Sequence, residues 1–372
     1  MIRIAFAAFA TLLLGGCISA QSWEATRLLR DIEAGAEPSS LKERTPDPTR
    51  QEMEIEYDGR SMLADLYHPN QEIGARLVLV PGFTPEGKND PRLVQFANSL
   101  ARTRFLVLVP DIEGIRELTV QRGDAVHIAD AAHYLAELEV EQARDNLDVG
   151  VAGLSYAVGL SVLATKEPHG EEAVDFLLGV GAYYDTENVL TFATTGEYQL
   201  PDTGEWQHLE PEHDAKWLFL RGNLDILEDP QDREILSEVV DRRMRDPDAS
   251  LDDLAPQLGE EGRSLLDLMI NEDRERVPEL LAEVPESARE DLEALSLSAR
   301  DLSHLHGDMI LIHGREDTMI PYTESIRLAE AAGDAELHLI SGFSHIDPGG
   351  IGLWGQWQLL GGMMDVLDRR VQ

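Results

Sequence analysis

The spacing of hydrophobic and polar positions changes several times along this chain, and the changes mark out its elements. Short apolar runs at 77–80, 105–109, 149–152, 177–180, 309–312 and 337–340 predict strands. Stretches with helical periodicity, 91–102 and 125–138 among them, separate several of these runs. That alternation predicts an α/β chain with a mostly parallel sheet flanked by helices. Ahead of it, 53–57 and 62–67 flank Asp58-Gly59, a hairpin signal, so the sheet is expected to start with antiparallel strands. A short amphipathic helix is expected over 22–35 with Trp23, Leu28 and Ile32 on one face. An extended linker should follow over 36–51, where three prolines sit among charges. The interval between 184 and 309 is too long for a plain crossover. Within it, 231–245, 262–271, 274–284 and 287–297 read as short helices separated by Pro, Gly and Asp, so residues 186–300 form a helical insertion.

One strand end carries the candidate chemistry. Residues 148–157, DVGVAGLSYA, run from an apolar strand into a G-x-S-x-A turn, and a helix start follows from Val158. A sharp strand-to-helix turn would lift the Ser155 hydroxyl out of the sheet, while Gly153 and Ala157 keep the neighbouring backbones from colliding. The bare motif is weak, and its context carries the argument. Asp317 lies just past the run 309–312, and His345 lies on the loop after 337–340. Each has a competitor. Asp317 would also suit a cap for the helix beginning near Tyr322, Asp185 after the strand near 176–184 is an alternative acid, and His313 at a strand end is the rival base. His304 and His306, two apart, have no cysteine or third histidine at ligand spacing, so neither a metal nor another cofactor is expected.

The loops bearing Ser155, Asp317 and His345, in that chain order, resemble the α/β-hydrolase superfamily over roughly residues 51–370 less the insertion. The resemblance implies the α/β-hydrolase fold, with 51–185 and 301–372 as its core and 186–300 as a cap over the site. It implies Ser155 as nucleophile, His345 as base and Asp317 as the acid that orients the base. The oxyanion donors would be the backbone N–H groups of Phe83 and Tyr156. The family's early oxyanion loop usually reads His-Gly, whereas residues 81–84 here are PGFT, with the glycine kept. The reaction class implied is acyl transfer to water, above all hydrolysis of a carboxylic ester through an acyl-enzyme intermediate. A peptidase or thioesterase of the same fold is the enzymatic alternative, and a non-catalytic envelope scaffold the other. In the insertion, Trp206, Trp217, Phe219, Leu265, Leu268 and Met269 would suit either an acyl pocket or plain core.

The amino terminus bears on location. Arg3 gives a brief positive start, 4–14 is apolar, and Gly15 and Gly16 precede Cys17, the single cysteine of the chain. The apolar stretch is too short to span a membrane. It resembles the lipobox of bacterial lipoproteins, which implies a signal peptide over 1–16, lipid on Cys17, and a short helix and linker over 17–50. An ordinary secretory signal cleaved near Ala20 is the alternative. Ile18 follows the cysteine where Asp would favour inner-membrane retention, so the same resemblance implies an outer-membrane lipoprotein facing the periplasm.

Charge narrows the partners. Lys and Arg number 31 against 70 Asp and Glu, a formal net charge of −39, which argues against nucleic acid and against adsorption to anionic membrane. The membrane tether would therefore be the lipid alone. The insertion holds 30 acidic and 11 basic residues, and its negative exterior disfavours anionic substrates, leaving neutral acyl esters as the expected class. Self-repulsion on this scale also points to a salt-tolerant setting.

Overall fold

The computed structural model describes residues 20–119, 121, 123–144, 146–305, 307–333, 335–343 and 353–371. The signal-peptide residues, Cys17, His306 and His345 therefore lie outside the described residues.

The strands are β1 (Thr49–Tyr57), β2 (Arg60–His68), β3 (Ala75–Val80), β4 (Phe105–Pro110), β5 (Val149–Leu154), β6 (Phe176–Val180), β7 (Glu197–Gln199), β8 (Trp206–His208), β9 (Met309–Gly314) and β10 (Glu336–Ile340). Eight of them form one sheet in the order β1-β2-β4-β3-β5-β6-β9-β10. β2 runs antiparallel to both its neighbours, and the remaining pairs are parallel. This is the mostly parallel, helix-flanked sheet of the α/β-hydrolase fold. The β1–β2 hairpin turns at Asp58 (φ 48°) and Gly59 (φ 76°), two successive left-handed residues that match the right-handed twist of the flanking strands.

Because β3 to β6 and β9 are buried on both faces, successive residues feed two different cores. Val78, Val80, Leu106 and Leu108 pack with the helices Asp124–Glu137, Tyr156–Ala164 and Thr323–Ala332. Leu77, Leu79, Phe105 and Val107 pack on the other face with the helices Ala20–Ala34, Pro91–Arg102 and Leu353–Asp368.

The amino-terminal segment departs from expectation. In the helix Ala20–Ala34 the packed face is Ala25, Leu28 and Ile32, while Trp23 is 49% exposed. Five residues separate Trp23 from Leu28, or about 140° around a helix, so the two cannot share a face. The predicted linker is also not extended throughout. Leu41 is buried, Asp31 accepts from Ser99 Oγ at 2.6 Å and pairs with Lys42 at 2.9 Å, and β1 already begins at Thr49. Arg370 closes the far end with a two-pronged pair to Glu24, both contacts at 2.8 Å.

The insertion contains the predicted helices at Pro230–Arg245, Glu260–Met269, Val277–Glu283 and Glu286–Leu295. It also holds the helices Thr186–Thr195 and His213–Gly222 and the β7–β8 hairpin. Its helices enclose a hydrophobic cluster of their own, running from Leu190 to Ala288. Trp217, Leu265, Leu268 and Met269 belong to that cluster, so they are core rather than pocket lining, and Trp206 is 42% exposed. No described helix is long and apolar enough to cross a membrane.

Candidate active site

β5 ends at Leu154 and the helix Tyr156–Ala164 begins two residues later, leaving Ser155 at the corner between them. Its backbone sits at φ 54° and ψ −125°, a conformation that costs an ordinary residue of order 1–3 kcal/mol. The corner is held by Ser155 N–H donating to the Val180 carbonyl of β6 at 2.7 Å. Its side chain does not cap the helix it starts, which removes the commonest structural use of a serine there. Gly153 is required by space: a Cβ at that position would lie 2.7 Å from the Ala157 carbonyl oxygen and 2.7 Å from Ser161 Oγ.

The 81–84 loop comes directly to this corner. A Cβ on Gly82 would sit 3.4 Å from Ser155 Cβ and 3.2 Å from the Leu154 carbonyl oxygen. The next residue, Phe83, stacks its ring on Tyr156 with centroids 4.0 Å apart and planes 20° from parallel. Among the described residues no carbonyl accepts from the N–H of Phe83 or of Tyr156. Tyr156 is the first residue of its helix, where an N–H has no partner within the helix. Proline in place of the usual histidine thus leaves the glycine beside the serine.

Asp317 follows β9, which lies two strands from β5, or roughly 10 Å across the sheet at ordinary strand spacing. Its carboxylate is fully buried. Oδ1 accepts from the N–H groups of Met319 at 2.8 Å and Ile320 at 2.9 Å. Asp317 does not cap the helix Thr323–Ala332, whose N-cap is Tyr322 with no side-chain cap, and Oδ1 instead shapes the turn ahead of it. Oδ2 lies 3.1 Å from His313 Nε2. His313 is fully buried, with Nε2 also 3.0 Å from the Ile320 carbonyl and Nδ1 2.6 Å from Ser325 Oγ. Two acceptors around Nε2 require that nitrogen to carry the proton. His313 is thus a packed residue that holds the Asp317 loop, and no separate signal in the sequence distinguishes that role.

The described part of the loop leading to His345 is anchored against the loop that carries Asp317. Arg315 N–H donates to the Ile340 carbonyl at 2.9 Å, and Gly342 N–H donates to Glu316 Oε2 at 2.8 Å. The Phe343 carbonyl packs so closely on Gly314 that no side chain fits there. Phe343 lies two residues before His345, and Gly314 three before Asp317. Neither Gly314 nor Glu316 stands out in the sequence, because the closeness that makes them matter is tertiary.

No family model and no curated protein matches the chain. Solved structures do resemble it. A serine hydrolase from Cycloclasticus zankles matches at 14% identity and TM-score 0.44, over 86% of this chain and 96% of that one. A dienelactone hydrolase from Anabaena variabilis matches at 14% identity and TM-score 0.44, over 86% and 98%. An α/β hydrolase from a Penicillium species matches at 17% identity and TM-score 0.47, over 86% and 98%. These neighbours are hydrolases, and at such identities and scores the sheet order and the corner geometry described above bear the structural argument.

The insertion reaches the same region through the helix His213–Gly222. Glu212 N–H donates to the Thr318 carbonyl at 2.7 Å, next to Asp317, and the Phe219 ring lies 6.5 Å from that of Phe83. Of the six pocket candidates, Phe219 thus has its ring placed near that of Phe83. Behind Tyr156, burial and then the neighbouring Tyr183 raise its phenol well above the usual range. Asp124 is pushed to about 7, first by burial and then by Glu113.

Asp185 and His304 hold structural positions. Asp185 caps the helix Thr186–Thr195, accepting from Glu187 N–H at 2.9 Å. His304 Nε2 lies 2.9 Å from Thr165 Oγ1. Glu324, 1% exposed, accepts from the N–H groups of Tyr184 at 3.1 Å and Asp185 at 2.7 Å, pinning the start of the insertion. Burial drives its pKa up to about 7 despite those bonds.

Proposed function

We propose that the protein is a serine hydrolase that cleaves neutral carboxylic esters, with Ser155 as nucleophile, His345 as base and Asp317 as orienting acid. The observation that supports this reading best is the backbone of Ser155. A strained conformation is maintained at the corner between strand and helix, on a serine whose side chain does not cap that helix. In the reaction, Ser155 Oγ forms a bond to the acyl carbon as His345 takes the hydroxyl proton, and that proton passes to the departing alcohol. Water then attacks the acyl-enzyme, giving up a proton to His345, and Ser155 leaves as the restored hydroxyl while the acid is released. The N–H groups of Phe83 and Tyr156 would hold the oxyanion, a contribution of about 3 kcal/mol for one such donor.

The segment around His213–Gly222 would serve as the cap, with Phe219 and Phe83 offering apolar contact to an acyl chain. The acidic exterior of the insertion favours neutral over anionic substrates. Lipid on Cys17 would hold the enzyme at the outer membrane, facing the periplasm.

Purified protein assayed with nitrophenyl esters of increasing acyl length, beside aminopeptidase and thioester substrates, tests the reading. Turnover of neutral esters that Ser155→Ala abolishes is the expected result. Folded wild-type protein that turns over none of the esters would defeat it, and faster cleavage of the amide or thioester would move the assignment to the peptidase or thioesterase reading.

A further inference from the structure

β10 is the last strand of the sheet and begins Glu-Leu-His-Leu-Ile. The two-residue period of a strand puts Glu336 and His338 on one face. The helix Leu353–Asp368 packs against that face, and one turn of helix brings Gly361, Gly362 and Asp365 to the same side. The His338 imidazole lies along the two glycines: a Cβ at Gly361 would be 3.5 Å from its Cε1, and one at Gly362 would be 3.4 Å from its Cδ2. Small residues on the helix thus make room for the ring and let strand and helix approach.

Glu336, His338 and Asp365 each offer one ligand atom, and these atoms lie within 4.8 Å of one another. His338 Nε2 is shielded from solvent and lies 2.6 Å from Asp365 Oδ2, its ion-pair partner. Two ligand atoms held about 2.0–2.1 Å from one ion stand about 3 Å apart, so a metal would part this pair by a few tenths of an ångström. Arg369 comes no nearer than 3.8 Å to Glu336 and is shared with Asp308 at 3.6 Å.

We propose that Glu336, His338 and Asp365 bind a divalent transition metal. One imidazole nitrogen with two carboxylate oxygens suits Zn²⁺, Co²⁺ or Mn²⁺ better than an all-oxygen ion such as Ca²⁺, with water completing the coordination. The site is separate from Ser155. Glu336 pairs with Ile310 at the start of β9, whereas Ser155 and Asp317 lie past the opposite, carboxyl ends of their strands. Bound metal would staple the edge strand to the C-terminal helix, the two elements on either side of the segment that carries His345.

Untagged full-length protein, dialysed against a chelator, is titrated with Zn²⁺ and with Co²⁺ by calorimetry and thermal melting, with bound metal counted by elemental analysis. One ion per chain, a rise in Tm on adding metal, and affinity about tenfold or more weaker in His338→Ala and in Asp365→Asn are expected. Ser155→Ala should bind metal as the wild type does, so the result stands or falls independently of hydrolase activity. Absence of binding overturns the proposal and leaves Arg369 as the neutralising group. Binding that persists unchanged in Asp365→Asn, which keeps the side-chain volume, overturns it equally, whether or not His338→Ala folds.

Discussion

Gly153→Ala isolates the link between backbone packing and the proposed chemistry. The added methyl would stand 2.7 Å from two oxygens, those of the Ala157 carbonyl and the Ser161 hydroxyl, and 2.8 Å from Val158 Cα. Ordinary contact starts at 3.4 Å, so the helix must retreat from β5 by at least 0.7 Å. Two of the three obstructing atoms are backbone, so rotation of a side chain cannot relieve the clash. Overpacking of this kind costs about 1–3 kcal/mol of stability. The catalytic cost is expected to be larger, because Ser155 and the Tyr156 N–H move with the helix and a misplacement of about 1 Å can cost a hundredfold in rate. Ester kcat and the rate of covalent labelling by a fluorophosphonate should therefore fall together by about ten- to a hundredfold. Gly123→Ala, where a Cβ meets nothing within 4 Å, serves as the control. If Gly153→Ala labels and turns over within about threefold of that control, the corner does not position the nucleophile and the reasoning fails.

Ser155→Gly should abolish ester turnover yet raise the unfolding free energy by about 1 kcal/mol, since glycine tolerates the positive φ that serine is forced to adopt; equal or lower stability in a denaturant melt would show the corner is unstrained. Glu324 titrates at about 7 in the folded chain against an ordinary 4.5, so its contribution to stability is complete below pH 4.5 and is lost as pH rises to about 7. Glu324→Gln mimics the protonated side chain, so the stability of the wild type relative to this variant should drop by about 3 kcal/mol across that window, and parallel pH curves would contradict the burial argument. Cys17→Ala should shift the protein from the membrane pellet to soluble periplasmic extract, and continued pelleting would rule out lipid as the anchor. Tm should climb between low and roughly molar salt as repulsion among the excess carboxylates is screened, and a flat curve would count against salt tolerance.

The parallel strands β3 to β6 and β9 are legible in the sequence because they are continuous apolar runs, and the runs at 77–80, 105–109, 149–152, 177–180, 309–312 and 337–340 each lie inside an observed strand, although β6 ends at Val180 rather than near 184. The Asp58-Gly59 turn is legible because few dipeptides accept two positive φ angles. Periodicity does not reveal the helix His213–Gly222 or the β7–β8 hairpin, whose strands are three residues each. It also cannot tell core from pocket. Trp217 and Leu265 sit on helices in either case, and only the packing of neighbouring helices places them in the insertion's own core. Around the site, Ser155 is readable from a local motif, whereas Gly314, Glu316 and His313 matter only through contacts with residues elsewhere in the chain. The Glu336, His338 and Asp365 group escapes a sequence reading for the same reason. His304 and His306 draw attention because they are two apart, while these three come from a strand and a helix on either side of a long loop.

The central claim is that the Ser155 hydroxyl is activated by His345. Intact-protein mass spectrometry after fluorophosphonate treatment tests it most directly. The account predicts one adduct per chain, mapped by peptide digestion to Ser155, formed by folded wild-type protein and suppressed by orders of magnitude in folded His345→Ala. An adduct on another residue, or undiminished labelling of Ser155 without His345, would contradict it.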